Sequence, residues 1–169
     1  NINLVRSIPS SPDADDMNYA GSLFSQTLGI SISNYAFFAI VSVSSANIAY
    51  AYNSNVTFTI LEGLSTVRHD CAISSVNNNI LIGGGTTQNY YEYDTSPLSS
   101  VEVYTSNLTK GTPLELSVGR ADLTGGKNSN YGIFAGGYSS DVVDAFSSNL
   151  VRTTANNLSD AKYGNQYWE

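Results

Sequence analysis

His69, the only histidine, is the first residue to consider for catalysis, because a nucleophile is normally activated by a neighbouring base. It stands between Arg68 and Asp70, and the same Arg-x-Asp pattern returns 52 residues later as Arg120 and Asp122. Alanine takes the place of the histidine in that second copy. The pattern predicts an incidental turn residue rather than a general base. We expect the repeated Arg and Asp to fix the junction between structural units, by an ion pair or by hydrogen bonds to backbone carbonyls.

Acidic residues offer a second kind of chemistry, because a glycosidase works with two carboxyl groups about 5 to 9 Å apart. The available acids are Glu62, Glu92, Asp94, Glu102 and Glu115. Nothing in the sequence singles out a pair among them. The acidic tract at residues 13–16 lacks the spaced ligands and the glycine of a calcium loop, and predicts a solvated turn. We predict no metal and no other cofactor.

Composition limits the classes of function. The chain has 169 residues, of which only 12% are charged, and its net charge is −7. An excess of acids repels phosphate backbones and anionic lipid headgroups, so we predict neither a nucleic-acid nor a membrane partner. The single cysteine, Cys71, cannot form an intrachain disulfide and is expected in the core. The chain begins at Asn1 rather than at methionine, from which we expect a processed product or a piece of a larger protein.

A repeat of about 42 to 52 residues organises the chain. One apolar run occurs three times, at residues 35–41, 79–85 and 131–137. The second and third copies end on glycines, whereas the first has Ala39 and Ile40 in that place. A second block recurs in the same order, at residues 51–56, 103–108 and 145–150. The flanking segment 67–70 returns at residues 119–122, 52 residues later like the apolar run, so the repeat predicts successive units of one structure rather than a chance match.

Each unit holds about four short apolar runs separated by Gly, Asn, Ser and Asp, which is typical of consecutive strands and turns. In the middle unit these runs predict strands at residues 71–76, 79–82, 101–104 and 108–116. No window carries a sustained helical stripe. The fold is therefore predicted to be all-β, in a single domain over residues 1–169. The expected units are residues 7–54, 55–106 and 107–148, with a partial unit at 149–169.

Residues 130–137, with residues 141–146 and 149–152 after them, resemble the kelch-like β-propeller repeats of bacterial and bacteriophage surface proteins. The resemblance implies propeller blades of four antiparallel strands. About three and a half such units would form an open arc unless other chains or further sequence complete it. Glycine after the second strand would supply positive φ and a close backbone approach. The run 83–85 is followed by neither a lysine nor a helix, which argues against a phosphate-binding loop.

An open arc leaves edge strands that invite pairing with other chains. The two ends of the sequence are expected to be complementary parts of one blade. The residues predicted to form this assembly edge are Ile2, Leu4, Arg6, Tyr163 and Trp168. We therefore predict either a homo-oligomer or a larger parent chain that completes the propeller.

The middle unit carries a longer connection between its second and third strands than the first unit does, and this connection is rich in tyrosine. Blade topology would bring it near the two repeated arginines. Tyrosine offers apolar area and a hydrogen-bonding tip at low entropic cost, which suits sugars and protein surfaces. The predicted ligand-binding residues are Tyr90, Tyr91, Tyr93, Asp94, Arg68 and Arg120.

The sequence thus predicts a non-catalytic binding or structural module that recognises glycan or protein through its blade loops. Low charge and abundant Asn, Ser and Tyr favour an extracellular location, on a cell surface or a virion. Two alternatives stay open. One is part of a carbohydrate-active enzyme with acidic catalytic residues, and the other is an intracellular kelch-type adaptor.

Overall fold

The computed structural model describes residues 25–42, 47–87 and 97–161. Within them, twelve strands form three four-stranded antiparallel sheets, in each of which neighbours along the chain are neighbours in the sheet. Sheet 1 consists of β1 (Ser25–Ile32), β2 (Tyr35–Ser42), β3 (Ile48–Tyr52) and β4 (Phe58–Leu61). Sheet 2 consists of β5 (Ala72–Val76), β6 (Asn79–Gly83), β7 (Ser100–Tyr104) and β8 (Leu114–Glu115). Sheet 3 consists of β9 (Thr124–Lys127), β10 (Tyr131–Ala135), β11 (Val143–Ser147) and β12 (Arg152–Thr154).

The prediction of an all-β fold is confirmed, since these three stretches of the chain contain strands and no helix. In the same stretches there is accordingly no helix with the length and apolar character needed to cross a membrane.

The strands predicted for the middle unit correspond to β5, β6, β7 and β8. Three agree closely, but the fourth, predicted over residues 108–116, is reduced to the two residues of β8. The first part of the predicted fourth strand forms a turn instead. In this turn the Thr105 N–H donates to the Thr109 carbonyl, and Leu108 has a φ of 63°. Each limit between predicted units falls between the third and fourth strands of a sheet. A predicted unit therefore combines the last strand of one sheet with the first three of the next.

Sheet 2 is packed on both faces because successive side chains of a strand point to opposite faces, and β6 is apolar at consecutive positions. Ile80 and Ile82 lie in a core shared with Phe37 of sheet 1. Leu81, which points to the other face, lies in a second core shared with Phe134 of sheet 3. All five side chains are 0% exposed. Sheet 2 is therefore the centre of a stack of three sheets.

Two glycine pairs, residues 84–85 and 136–137, follow the second strands of sheets 2 and 3. All four glycines have φ between 68° and 129°. A Cβ on Gly84 would lie 2.5 Å from the carbonyl oxygen of Arg120, so only glycine lets these segments approach. The predicted role of the glycines is confirmed. In sheet 1, which lacks the pair, β2 continues as a strand of eight residues.

Candidate functional site

Of the six residues predicted to bind ligand, the structure describes Arg68 and Arg120. Both lie in the interior, with exposures of 0% and 4%. The other predicted residues lie outside the described residues: Tyr90, Tyr91, Tyr93 and Asp94 of the loop, and Ile2, Leu4, Arg6, Tyr163 and Trp168 of the assembly edge. A ligand-binding role for the two arginines stays a prediction. The contacts that they make belong to the fold.

Arg68 joins the segment before β5 to the end of β6 and the start of β7. One terminal nitrogen of its guanidinium donates to the carbonyl oxygens of Gly84 and Ser100, each at 2.9 Å. The other donates to the Ser100 hydroxyl at 2.9 Å and lies 3.4 Å from a carboxylate oxygen of Glu102. Burial lowers the pKa of Arg68, although the charge of Glu102 acts in the opposite direction. An arginine stays charged even so, and its hydrogen bonds and ion pair together hold three separate segments.

Glu102 extends this cluster to the link between sheets 1 and 2. Its carboxylate accepts hydrogen bonds from the backbone N–H groups of Ser65, at 2.8 Å, and Thr66, at 3.1 Å. The ammonium group of Lys110 binds the same carboxylate. Burial opposes the charge of Glu102, but these hydrogen bonds outweigh it and hold the pKa of Glu102 below its ordinary value.

The depressed pKa of Glu102 predicts a loss of stability in acid. Because the unfolded chain binds this proton at a higher pH than the folded chain, the stabilisation is complete above about pH 5. It is lost as the pH falls through the folded-state pKa. We expect Glu102→Gln to lower the free energy of unfolding by about 1–3 kcal/mol at pH 7 and to flatten its decline between pH 5 and 3. Urea titrations of both proteins and of the exposed control Glu115→Gln measure this, and equal acid slopes would contradict it.

Arg120 repeats the arrangement in sheet 3. One terminal nitrogen donates to the carbonyl oxygens of Gly136 and Val142, and the other pairs with the carboxylate of Asp144. Asp144 also accepts bonds from the backbone N–H and the hydroxyl of Ser117 and from the guanidinium of Arg152. Burial lowers the pKa of Arg120, against the charge of Asp144.

The two clusters correspond residue by residue. Arg68 and Arg120 are 52 residues apart, whereas their acids, Glu102 and Asp144, are 42 apart, as are the outer cations Lys110 and Arg152. The predicted hydrogen bonds from arginine to backbone carbonyls are confirmed. The acid partners are not the aspartates of the Arg-x-Asp pattern, however, because both acids of the ion pairs lie on third strands.

The aspartates of that pattern have a backbone role. Asp70 and Asp122 both take a positive φ, 52° and 57°, a conformation in which aspartate is enriched. The N–H of Asp122 donates to the carbonyl of Asp70, which joins the entry of β9 to that of β5. Burial, with the charge of Asp70, raises the pKa of Asp122. In the described part of the chain, no three His, Cys, Asp or Glu side chains come together as a metal site would require.

His69 lies in a bridge rather than in the predicted turn. It pairs with Thr86, and each N–H donates to the other carbonyl at 3.0 Å. The side chain is buried, and its Nδ1 lies 2.7 Å from a carboxylate oxygen of Asp70. His69 therefore helps to join the entry of β5 to the connection that follows β6.

Cys71 lies in the core shared by sheets 1 and 2, as predicted. Burial raises the pKa of its thiol to about 12, so very little of the native protein carries the thiolate at pH 8. We expect Ellman's reagent to label the native protein at pH 8 at least a hundredfold more slowly than the urea-unfolded protein. Cys71 is the only cysteine, so Cys71→Ser gives the blank. Rapid native labelling would contradict the buried position.

The long connection between β6 and β7 is clamped at its base. Thr86 forms isolated bridges with both His69 and Pro97. One residue further on, the carbonyl of Leu98 accepts a hydrogen bond from the N–H of Arg120 at 3.2 Å. The base of the loop therefore lies between the two segments that carry the repeated arginines.

A groove of about 360 Å³ opens at the opposite end of β6, between the turn at residues 77–78 and residues 127–129. Asn77 and Asn78 take φ of 47° and 60°, which a tight hairpin turn requires, so the turn itself explains both asparagines. Among the described residues that line the groove, Lys127 alone carries a charge, and its ammonium lies 3.4 Å from the carbonyl of Ser31.

No family model and no curated protein matches this chain. Chains of solved structures do match it, among them YjhT, with a TM-score of 0.63 and 12% identity. The match covers 82% of this chain and 53% of the YjhT chain, so the chain spans about half the length of YjhT. At this identity the likeness concerns the fold alone. The described part of the chain is an all-β stack of three four-stranded antiparallel sheets, and its likeness to YjhT is one of fold.

Proposed function

We propose that this chain is a non-catalytic binding or structural module, exposed on a cell surface or a virion, that presents loops of kelch-like propeller blades to a glycan or a protein. Three successive four-stranded meanders, stacked face to face, are the units that such blades require. The charged residues that could take part in catalysis are buried, where they stabilise the fold. Arg68 pairs with Glu102 and Arg120 pairs with Asp144, and both arginines also bind backbone carbonyls.

The clamped loop between β6 and β7 is the observation that carries the proposal. Thr86 and Pro97 pair across its base. The Arg68 guanidinium binds the carbonyl oxygens of Gly84 and Ser100, on the two sides of the loop, and the backbone of Arg120 is hydrogen-bonded to Gly85 and Leu98. A binding loop works best when a rigid scaffold positions its ends, because less ordering is then left for the moment of binding. Both arginines would act as positioning residues for the loop.

Tyr90, Tyr91 and Tyr93 stand between the clamped ends of this loop in the sequence, with Asp94 beside them. Aromatic faces pack on the apolar faces of sugars and on protein surfaces, while hydroxyl and carboxylate groups bind polar groups at the rim. With a net charge of −7, a neutral or cationic partner is favoured over a nucleic acid or an anionic membrane. The chain ends, through Ile2, Leu4, Arg6, Tyr163 and Trp168, are proposed to complete the propeller with another copy or with a longer parent chain.

Binding to a panel of immobilised oligosaccharides tests the proposal. We expect retention of at least one glycan, and a loss of affinity of at least tenfold when Tyr90, Tyr91 and Tyr93 are all replaced by serine. Tyr138→Ser is the matched control, because Tyr138 lies in the equivalent connection of sheet 3 and is 67% exposed. The control should bind as the unaltered protein does.

Mass spectrometry of the recovered oligosaccharide separates this proposal from the enzymatic alternative. An unchanged glycan is expected. Shortened products, abolished by replacing one specific acid, would favour a carbohydrate-active enzyme. Equal binding by the triple variant would show that the loop is not the binding site.

A further inference from the structure

β4 forms one edge of sheet 1. It pairs with β3 on one side, and no other strand in the described part of the chain pairs with it on the other. The first strands of neighbouring sheets contact one another, so the fourth strands lie at the opposite, outer edges of the sheets. An unpaired strand edge presents a row of N–H and C=O groups to any chain that can pair with it.

The hydrogen bonds of the hairpin between β3 and β4 show which groups of β4 point outwards. The Asn53 N–H donates to the Thr57 carbonyl at 3.0 Å, and this pair continues the register of the two strands. Because hydrogen-bonded and non-bonded pairs alternate along an antiparallel ladder, Thr57 and Thr59 bond towards β3. The backbone N–H and C=O groups of Phe58 and Ile60 therefore point away from the sheet.

The equivalent edges of the other two sheets are shorter and charged. β8 has two residues and ends at Glu115, and β12 has three and begins at Arg152. Short strands and charged side chains are means by which proteins prevent unwanted strand pairing. β4 has four residues, and the run 55–61 around it holds no charged residue, proline or glycine. Ile60 in this run is 56% exposed, so this edge is accessible and lacks the protection of the other two.

We propose that β4 pairs with β4 of a second copy of this chain, antiparallel and across a two-fold axis at Thr59. In this register Phe58 of each copy lies opposite Ile60 of the other as a hydrogen-bonded pair. The four hydrogen bonds of the two pairs satisfy every outward-pointing N–H and C=O group of these residues. The pairing uses the free edge of both copies, so assembly through β4 ends at a dimer.

The side chains of the edge favour a second copy as the partner. Ile60 would pack beside Phe58 of the other copy, and Thr59 would meet itself, and both kinds of cross-strand pair stabilise sheets. The nearest charged residue in the sequence, Glu62, would lie opposite Val56, so no like charges meet. A contact of four residues on each copy is small, and we expect the dimer to be weak.

The contact concerns the edge of β4 and not the face of sheet 1, on which Tyr50 is only 5% exposed. It uses none of the residues proposed to complete the propeller at the chain ends, and none of those proposed to bind a glycan. Each of these proposals can therefore fail without the others.

Disulfide trapping detects this contact even when it is weak. Thr59 would face its own copy as a non-hydrogen-bonded pair, with Cα atoms about 4.5 Å apart, which a disulfide can span. Thr153→Cys is the matched control, because Thr153 pairs with Ala145 on β12 as Thr59 pairs with Ala51 on β4. In a Cys71→Ser background, we expect mild oxidation to give at least tenfold more covalent dimer from Thr59→Cys than from the control. Equal yields would overturn the proposal.

Opposite charges at residue 59 test the two-fold symmetry, with light scattering over a concentration series as the measurement. Thr59→Lys and Thr59→Glu each place like charges at the axis, so we expect either change to raise the dissociation constant at least tenfold. A mixture of the two variants places opposite charges there and should associate at least tenfold more tightly than either variant alone. Thr153→Lys should associate as the unaltered protein does, and circular dichroism of each variant shows that folding is intact.

A mixture no tighter than its components would overturn the proposal, as would an unaltered protein that stays monomeric at all concentrations. An oligomer whose mass the Thr59 variants leave unchanged would also overturn it. Such an oligomer would be joined elsewhere, as completion of the propeller by the chain ends requires, so that proposal would stand.

Discussion

We expect Arg120→Ala to lower the free energy of unfolding by about 3–5 kcal/mol, the usual cost of removing one partner from a buried ion pair. The side chain of Arg120 is 3% exposed, and its loss leaves the carbonyl oxygens of Gly136 and Val142 without their charged donor. Asp144 would keep a buried charge with weaker compensation. Urea denaturation followed by circular dichroism measures the change.

Arg152→Ala is the matched control, because Arg152 binds the same carboxylate from the other side. Its side chain is 44% exposed, and its nitrogen lies 3.2 Å from the Asp144 oxygen. Solvent screens such a pair, so we expect a cost of no more than about 1 kcal/mol. If the two variants were equally unstable, the buried geometry of Arg120 would not be the source of the effect.

The second large effect concerns the close contact between sheets 2 and 3. A Cβ on Gly125 would lie 1.9 Å from the carbonyl oxygen of Ile73, which is part of the backbone of β5 and cannot move aside alone. We therefore expect Gly125→Ala to force the two sheets apart and to lower the free energy of unfolding by about 3 kcal/mol, the upper end of overpacking costs. The Ser74 hydroxyl, which donates to the Gly126 carbonyl at 2.6 Å, would lose its partner in the process.

Gly126→Ala, one residue further along the same strand, is the control. Its Cβ points to open space, and replacing glycine in a strand reduces the entropy of the unfolded chain. We expect no loss of stability and a gain of up to about 1 kcal/mol, measured at low protein concentration so that association does not contribute. Equal losses at both positions would mean that sheets 2 and 3 do not approach as described.

The sequence was sufficient for much of this fold because two kinds of signal repeat along it. Short apolar runs bounded by Gly, Asn, Ser and Asp predict the strands of sheet 2, and the recurrent glycine pair predicts the sharp bend after the second strand. The same alignment contains the partners of the arginines. Extending the match of residues 103–108 with residues 145–150 by one residue places Glu102 on Asp144. The nearer aspartates of the Arg-x-Asp pattern repeat in the same way, so the alignment alone does not decide which acids pair with the arginines.

Other features depend on spacing in three dimensions. Asp70 and Asp122 are charged and repeated in the sequence, which suggests that they are the ion-pair partners of the arginines. The left-handed backbone conformation at both positions is what accounts for these aspartates. The long strand predicted at residues 108–116 is interrupted because Leu108 takes a positive φ. The sequence does not indicate this conformation, because the residue at that position is not glycine.

Native-state amide hydrogen exchange tests the central claim, that three stacked sheets form a rigid scaffold with sheet 2 inside. The account predicts that the amides of β6 and β7 exchange slowest and only through global unfolding, with a free energy of opening equal to that from urea denaturation. It also predicts that Arg120→Ala lowers the protection of sheets 2 and 3 together. Independent opening of the three sheets, or exchange in β6 as fast as in β12, would contradict it.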